Sequence, residues 1–316
     1  MDVVVLGSLN MDLVAQVPYL PQPGETILGD RFVMTPGGKG ANQAVAAARL
    51  GARTAMIGRV GNDGIGQALR SRLQAENIDV RGIATSTQLS SGTALIAVSA
   101  TNNQIIVVPG ANSTVDEVEL ESLMPYLEQA RVLLLQFEIP IATVEKAAAL
   151  AHTAGLTVIV DPAPAKGPLA ADVCSYISIL TPNQTEAAAL TGQPVDNIQS
   201  AVAAAEKLQR QGIEAVIVKM GAMGCVCATA TSSFAVPVFP VDDIDTVAAG
   251  DAFNGGLAAA LCEVNRVPGE PLSTEVLREA INYAMAVAAI AVTRQGAQTA
   301  MPTAKEVEEF FRMQRS

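Results

Sequence analysis

Between residues 131 and 218, short β-branched runs alternate with Ala-rich stretches of helical period. That alternation narrows the possible folds more than any other feature of the chain. The runs Val132–Phe137, Thr157–Val160, Tyr176–Leu180 and Ala215–Val218 predict strands, with helices near Ala142–Ala154, Gln184–Leu190 and Ile198–Gln211. Units of this length join parallel strands by right-handed crossovers. The expected class is therefore α/β, a mostly parallel central sheet flanked by helices. Val3–Leu6, closed by Gly7, reads as one more strand buried on both faces. Ligands of open α/β sheets bind beyond the carboxyl ends of the strands. Glu138, Asp161, Asn183 and Lys219 stand at those ends.

Two stretches break the alternation. Leu13–Met34 sets Pro18, Pro21, Pro23 and Gly24 between short strand-like pieces, and Ala94–Ser99 with Gln104–Val108 reads as a hairpin around Asn102-Asn103. These excursions, at about 12–35 and 92–109, predict a small β-sheet that serves as a lid. No linker interrupts the chain, so residues 1–316 are expected to form one domain. Helices over about Glu275–Thr293 and Thr303–Met313 read as packing, interrupted by Arg294-Gln295-Gly296.

Composition removes several classes of function. Half the residues are apolar and 16% are charged, enough for a sizeable core. A net charge of −11 argues against nucleic acid or an anionic membrane as partner. His152 is the only histidine, and Cys174, Cys225, Cys227 and Cys262 form no CxxC pair, which speaks against a Cys/His metal site or a His-based triad. The N-terminus lacks a signal-peptide pattern, and the longest apolar run, Tyr283–Val292, is too short to span a bilayer. The expectation is a reduced, cytoplasmic protein.

Asp245-Thr246-Val247-Ala248-Ala249-Gly250-Asp251 leads into a buried helix read from Phe253 to Glu263. Small residues at a helix start admit an anion to the unpaired N–H groups. A carboxylate there makes sense if it accepts the proton of an attacking hydroxyl beside a phosphate, although a plain capping Asp fits the local sequence as well. Thr35-Pro36-Gly37-Gly38-Lys39-Gly40-Ala41-Asn42-Gln43-Ala44 is a second glycine-rich entry to a helix, ending near Leu50-Gly51. It is not a P-loop, since no Lys-Ser or Lys-Thr pair occurs, and no G-x-G-x-x-G exists anywhere. Asn10 and Asp12, two apart on extended backbone, share a face and suit two neighbouring hydroxyls, or equally an Asx turn. Asn183 and Glu186 fit a capping box, or phosphate and a water-bridged Mg²⁺. Gly221-Ala222-Met223-Gly224 is a further loop open to a nucleotide.

Together these stretches resemble the PfkB family of carbohydrate and nucleoside kinases over nearly the whole chain. The segment Gly37–Ala44 is similar to the family's N-terminal motif in the form its ribose-phosphorylating members carry. Asp245-Thr246 with Ala248–Asp251 is similar to the C-terminal motif, and Asn183 with Glu186 to the N-x-x-E motif. The resemblance implies transfer of the ATP γ-phosphoryl to the 5-hydroxyl of D-ribose. It makes Asp251 the base, with the amides of Ala249, Gly250 and Asp251 holding the developing charge. Asn10, Asp12, Gly38, Lys39, Asn42 and Glu138 would bind the sugar. Asn183, Lys219, Met220, Gly221, Ala222, Met223, Gly224 and Gly250 would line the nucleotide, and Glu186 would reach Mg²⁺ through water. K⁺ would be ringed by the Asp245 side chain and carbonyls of Val247, Ala291, Arg294 and Gly296. The lid would pair two subunits into a homodimer. Three positions depart from the pattern: Lys219 replaces a common Thr, Ala284 falls near a position that often contacts adenine through a polar group, and Ala300 replaces a Ser. A kinase for deoxyribose or a nucleoside, and a sugar- or nucleotide-binding regulator without catalysis, are the competing readings.

Overall fold

The structure, a computed structural model, describes residues 1–165, 167–264 and 270–314. The strands are β1 (Val3–Leu6), β2 (Asn10–Gln16), β3 (Arg31–Gly37), β4 (Thr54–Gly61), β5 (Ile83–Ser86), β6 (Gly92–Val98), β7 (Asn103–Val108), β8 (Val132–Gln136), β9 (Thr157–Asp161), β10 (Ile179–Leu180), β11 (Ala215–Lys219), β12 (Cys225–Thr229) and β13 (Ser233–Val236). The helices are α1 (Lys39–Arg49), α2 (Gly64–Ala75), α3 (Glu117–Leu127), α4 (Ile141–Thr153), α5 (Ala171–Cys174), α6 (Gln184–Thr191), α7 (Ile198–Gln209), α8 (Ala249–Cys262), α9 (Thr274–Val292) and α10 (Ala304–Gln314).

Nine strands form one sheet in the order β13-β12-β11-β10-β9-β8-β1-β4-β5, parallel except at β11/β12 and β12/β13. Alternate residues of each strand enter opposite cores, which is why these runs are apolar throughout. Val3, Val5, Leu134, Ile159 and Ile217 pack with α1, α8 and α9 on one side. Val4, Leu6, Leu135, Val160 and Val218 pack with α4, α6 and α7 on the other. The chain runs outward from β1 in both directions, so the order reverses between β1 and β8. A crevice opens at such a reversal.

The two excursions do make a separate sheet, in the order β3-β2-β6-β7, antiparallel except between β2 and β6. Its hairpin closes through Ser99, whose N–H donates to the Asn102 carbonyl at 2.9 Å. Two boundaries differ from expectation. The strand expected over Tyr176–Leu180 keeps only Ile179–Leu180, because Tyr176 and Ile177 spend their N–H groups closing the turn after α5, on Val173 and Cys174. The helix expected from Phe253 begins at Ala249, which puts Asp251 inside the first turn. No helix of the described residues is long and apolar enough to cross a membrane.

Candidate active site

The entry to α8 is built from an unusual backbone. Ala248 turns the chain at φ 60°, a left-handed conformation that residues with a Cβ rarely adopt, and no side chain caps the helix. The Ala249 N–H lies 3.3 Å from the Thr246 carbonyl. The amides of Gly250 and Asp251 follow in the first turn, at the positive end of the helix dipole, where the helix itself offers N–H groups no partner.

Asp251 is 4% exposed. Its Oδ2 accepts from Asn42 Nδ2 at 2.9 Å and its Oδ1 from Gln43 Nε2 at 3.1 Å. Burial raises its pKa, as does the nearby Asp161, against the opposing pull of Lys39, Asn42 and Gln43. Asp161 ends β9 with 1% exposure. Its Oδ1 accepts from Lys219 Nζ at 3.1 Å, and its Oδ2 accepts from Gln43 at 3.1 Å and lies 3.9 Å from Lys39 Nζ. Burial works against the Lys39 charge, but Asp251, Asp161, Glu138 and Glu186 outweigh it and raise the pKa. The Lys219 ammonium stands 3.4 Å from where a Cβ on Gly250 would be. Lys39, Lys219 and the N-terminus of α8 thus face the buried Asp161 and Asp251 carboxylates in one crevice.

Beside this cluster lie the residues expected to meet the sugar. Asn10 and Asp12 share one face of β2, and Asn10 Oδ1 accepts from Asn112 Nδ2 at 2.8 Å. The Asp12 carboxyl is pushed up to about 6 by burial, then by Glu138 and Asp251. Glu138 accepts from the Ser8 hydroxyl and from the Lys39 backbone N–H at 3.0 Å. Gly38 has φ 88°, and a Cβ there would come within 2.7 Å of the Asn10 nitrogen, so the turn into α1 requires glycine.

A cavity of about 780 Å³ opens from the other side of Lys39 and Asp251. Asn183, Glu186, Lys219, Gly221, Ala222, Gly224, Ala249 and Gly250 line its polar part, and Val238, Phe239, Val241, Met285 and Ala288 its apolar part. Neither Met220 nor Met223 lines it: Met220 is packed in the core and Met223 is exposed. Asn10, Asp12, Gly38, Asn42 and Glu138 also lie outside its lining. Ala284 packs against Gly256 between α8 and α9 rather than facing the cavity. Asn183 and Glu186 form a reciprocal cap: the Glu186 N–H donates to Asn183 Oδ1 at 2.9 Å, while both carboxylate oxygens of Glu186 accept from Asn183. Burial and Asp161 raise the Glu186 pKa, opposed by the Asn183 N–H, Lys219 and Lys39.

The loop before α8 meets the chain beyond α9. Asp245 Oδ1 accepts from the Val247 N–H at 3.0 Å and Oδ2 from the Gly296 N–H at 2.9 Å, while the Asp245 N–H donates to the Val292 carbonyl at 3.1 Å. The Ala291 carbonyl accepts from the Arg294 N–H. These bonds tie Asp245 to Val247 and Gly296, and Arg294 to Ala291, so the residues expected around K⁺ lie on two segments that Asp245 links. Among the described residues no His, Cys, Asp and Glu cluster able to hold a metal ion exists.

Gln43, Gln136, Ser8 and Asn112 reach the site although the sequence alone assigns them no role, Gln43 being only one member of the glycine-rich segment, and Asp161 stands out there only as a polar strand end. The available signal was a polar residue inside an apolar run, as in Leu133-Leu134-Leu135-Gln136 and Val158-Ile159-Val160-Asp161.

A profile described as pfkB family carbohydrate kinase matches residues 1–304. The chain is 43% identical over 308 residues to the Haemophilus influenzae protein named ribokinase, covering 97% of each. It is 33% identical to the deoxyribokinase of Salmonella typhi, covering 98% of this chain and 99% of that one. The structure of Arabidopsis thaliana ribokinase complexed with ribose and ATP superposes with a TM-score of 0.87 at 29% identity, covering 98% of each chain. A carboxylate in the first turn of a helix, a glycine-rich entry to α1 and a second sheet beside them thus coincide with a match along almost the whole length, and the chain belongs to the pfkB family of carbohydrate kinases.

Proposed function

We propose that this protein is an ATP-dependent kinase that transfers the γ-phosphoryl group to the 5-hydroxyl of D-ribose, giving ribose 5-phosphate and ADP. The observation that carries it is the buried Asp251 carboxylate, held by two amides at the start of α8 and opening on a 780 Å³ cavity with two lysines. Asp251 accepts the proton of the attacking hydroxyl, and burial brings its basicity nearer to that task. The amides of Gly250 and Asp251, with Ala249 beside them, hold charge on the phosphoryl oxygens as the helix dipole favours. Asn10, Asp12, Gly38, Lys39, Asn42 and Glu138 orient the sugar, and a nucleotide lies along Asn183, Lys219 and the Gly221–Gly224 turn. Glu186 offers one carboxylate on the cavity wall, which suits a water-bridged Mg²⁺, and the Asp245 carboxylate, close to Gly296, is the residue that would hold K⁺. Held there, Mg²⁺ would neutralise phosphate charge, and K⁺ beside Asp245 would order the loop that carries Gly250.

The β3-β2-β6-β7 sheet acts as the lid, which excludes water from the transfer and pairs two copies of the chain. Four unpaired buried cysteines accord with work in a reducing cytoplasm. A coupled assay of ADP release with ribose, 2-deoxyribose and a set of nucleosides tests the reading. The buried polar groups of the sugar set are left unpartnered by a deoxysugar, so ribose is expected to have the highest kcat/KM. Preference for deoxyribose would move the assignment to a deoxyribokinase. Absence of ATP turnover with every acceptor would leave a binding protein.

A further inference from the structure

The amide of Gln43 bridges two buried carboxylates. Its Nε2 lies 3.1 Å from Asp161 Oδ2 and 3.1 Å from Asp251 Oδ1, so each of its two N–H bonds has an acceptor. The side chain is fully buried and cannot turn over: ionised carboxylates only accept, and Gln136 Nε2 donates to Gln43 Oε1 at 2.8 Å from the opposite side. Gln136 is itself admitted only because residue 7 is glycine, since a Cβ there would fall 1.9 Å from Gln136 Oε1. A chain of contacts thus runs from the end of β1 through β8 and α1 to the base on α8. Asn42 holds the second oxygen of Asp251, so two donors on adjacent residues of α1 fix the carboxylate plane.

We infer that Gln43, oriented by Gln136 over Gly7, is a positioning residue that aims the Asp251 carboxylate and keeps it ionised beside Asp161. This rests on Asp251 being the base. Without the amide, two carboxylates would face one another with nothing between them, and the one on α8 would gain a rotational freedom that the reaction cannot use. The charged groups around Asp251 are Lys39 on α1, Asp161 on β9, Lys219 on β11, Asp12 on β2 and Glu138 beyond β8. Among the described residues, Gln43 and Asn42 are the side chains that donate a hydrogen bond to it. Gln43 favours the charged form, so its loss moves the protonation of Asp251 to higher pH.

Gln43→Met, of similar volume, removes both donors and the acceptor. The expected result is a fall in kcat on the order of 10², the scale of a small misplacement of a reacting group, with the ribose and ATP KM values within about threefold of the parent. The acidic limb of the kcat profile moves to higher pH. Gly7→Ala, which displaces Gln136 without touching the base, produces a smaller change in the same direction. Carboxyl ¹³C shifts of labelled aspartate, assigned through Asp251→Asn, read the titration of Asp251 directly and need no turnover. An upward shift in Gln43→Met supports the role even if ribose proves not to be the acceptor. An unmoved titration in a folded Gln43→Met protein overturns it, as does a rise in both KM values with kcat intact.

Discussion

Placing a carboxylate at the positive end of a helix and then burying it sets two effects against each other, and Asp251 shows the outcome. The dipole and two amide donors favour its ionised form, while burial and Asp161 oppose it, and the pKa rises. Asp251→Asn preserves the shape and the contact to Asn42 but cannot accept a proton. Its kcat is expected to fall by ~10²–10⁴ with ribose and ATP still bound, measured by steady-state rates beside calorimetric titration. Asp12 allows a second prediction at this scale. Its carboxyl sits near 6, raised by burial, Glu138 and Asp251, so between about 4 and 6 the folded chain binds more protons than the unfolded one. Stability from this group therefore falls as pH rises through that window. Asp12→Asn removes the penalty: it should melt about 2 °C above the parent at pH 7.5, equal it below pH 4, and bind ribose more weakly. The shift alone sets a ceiling of about 3 kcal/mol, and solvent screening brings the gain nearer 1 kcal/mol. A gain that persists unchanged at pH 4 would refute the titration. Asp251 and Asp12 stand out in the sequence on chemical grounds and Asn42 through the resemblance, and the structure brings Asn42 to Asp251 at 2.9 Å. Gln43 does not stand out, because its role exists only once α1, β8, β9 and α8 have met.

Whole elements were readable where one physical pattern dominated. The strands from β8 to β11 are buried on both faces and read as apolar runs, and α4, α6 and α7 fill their spacing. The remainder lacked that clarity. β4 carries Arg59, which is ion-paired to Glu119 and Asp116 of α3's first turn and its cap, so a long-range pair interrupts its apolar run. α3 contains Pro125, which local preference reads as a break. β12 and β13 run antiparallel at the sheet edge, against the crossover pattern that precedes them. The loop before α8 is legible only in part: Asp245 looks like a turn residue until Gly296 reaches it at 2.9 Å. That junction carries a prediction. If this junction holds an alkali cation beside Asp245, replacing Na⁺ with K⁺ at constant ionic strength raises kcat, and Asp245→Ala abolishes the rise. Equal rates in the two salts would show that no such site operates, and Ala300, which is buried and departs from the Ser expected there, is the first position to change to Ser.

At the scale of the molecule, the smaller sheet presents more apolar surface than a lone chain in water should. Met34, Leu13, Leu95 and Ile106 are successive cross-strand partners over all four strands. Met34 is 50% exposed, Leu95 44% and Ile106 62%, and every residue of β7 is exposed. The sheet also ends in two free edges, β3 and β7, each a ready template for pairing. Apolar ladders of this kind mark interaction surfaces. In the homodimer proposed above, a second copy of the chain would meet the exposed part of this ladder with the same surface, as a twofold axis requires. The parent protein should therefore sediment as a dimer. Leu95→Glu combined with Ile106→Lys keeps an opposite-charge pair across β6 and β7, so the sheet itself is retained, yet a dimer would have to bury four charges. That variant is expected to sediment as a monomer with an unchanged circular dichroism spectrum. Because β2 carries both Asn10 and Asp12, a sheet that has lost its partner should loosen the sugar site first: the ribose KM rises while the ATP KM holds. A parent that sediments as a monomer, or a dimer that survives both charges, would remove the sheet from the interface.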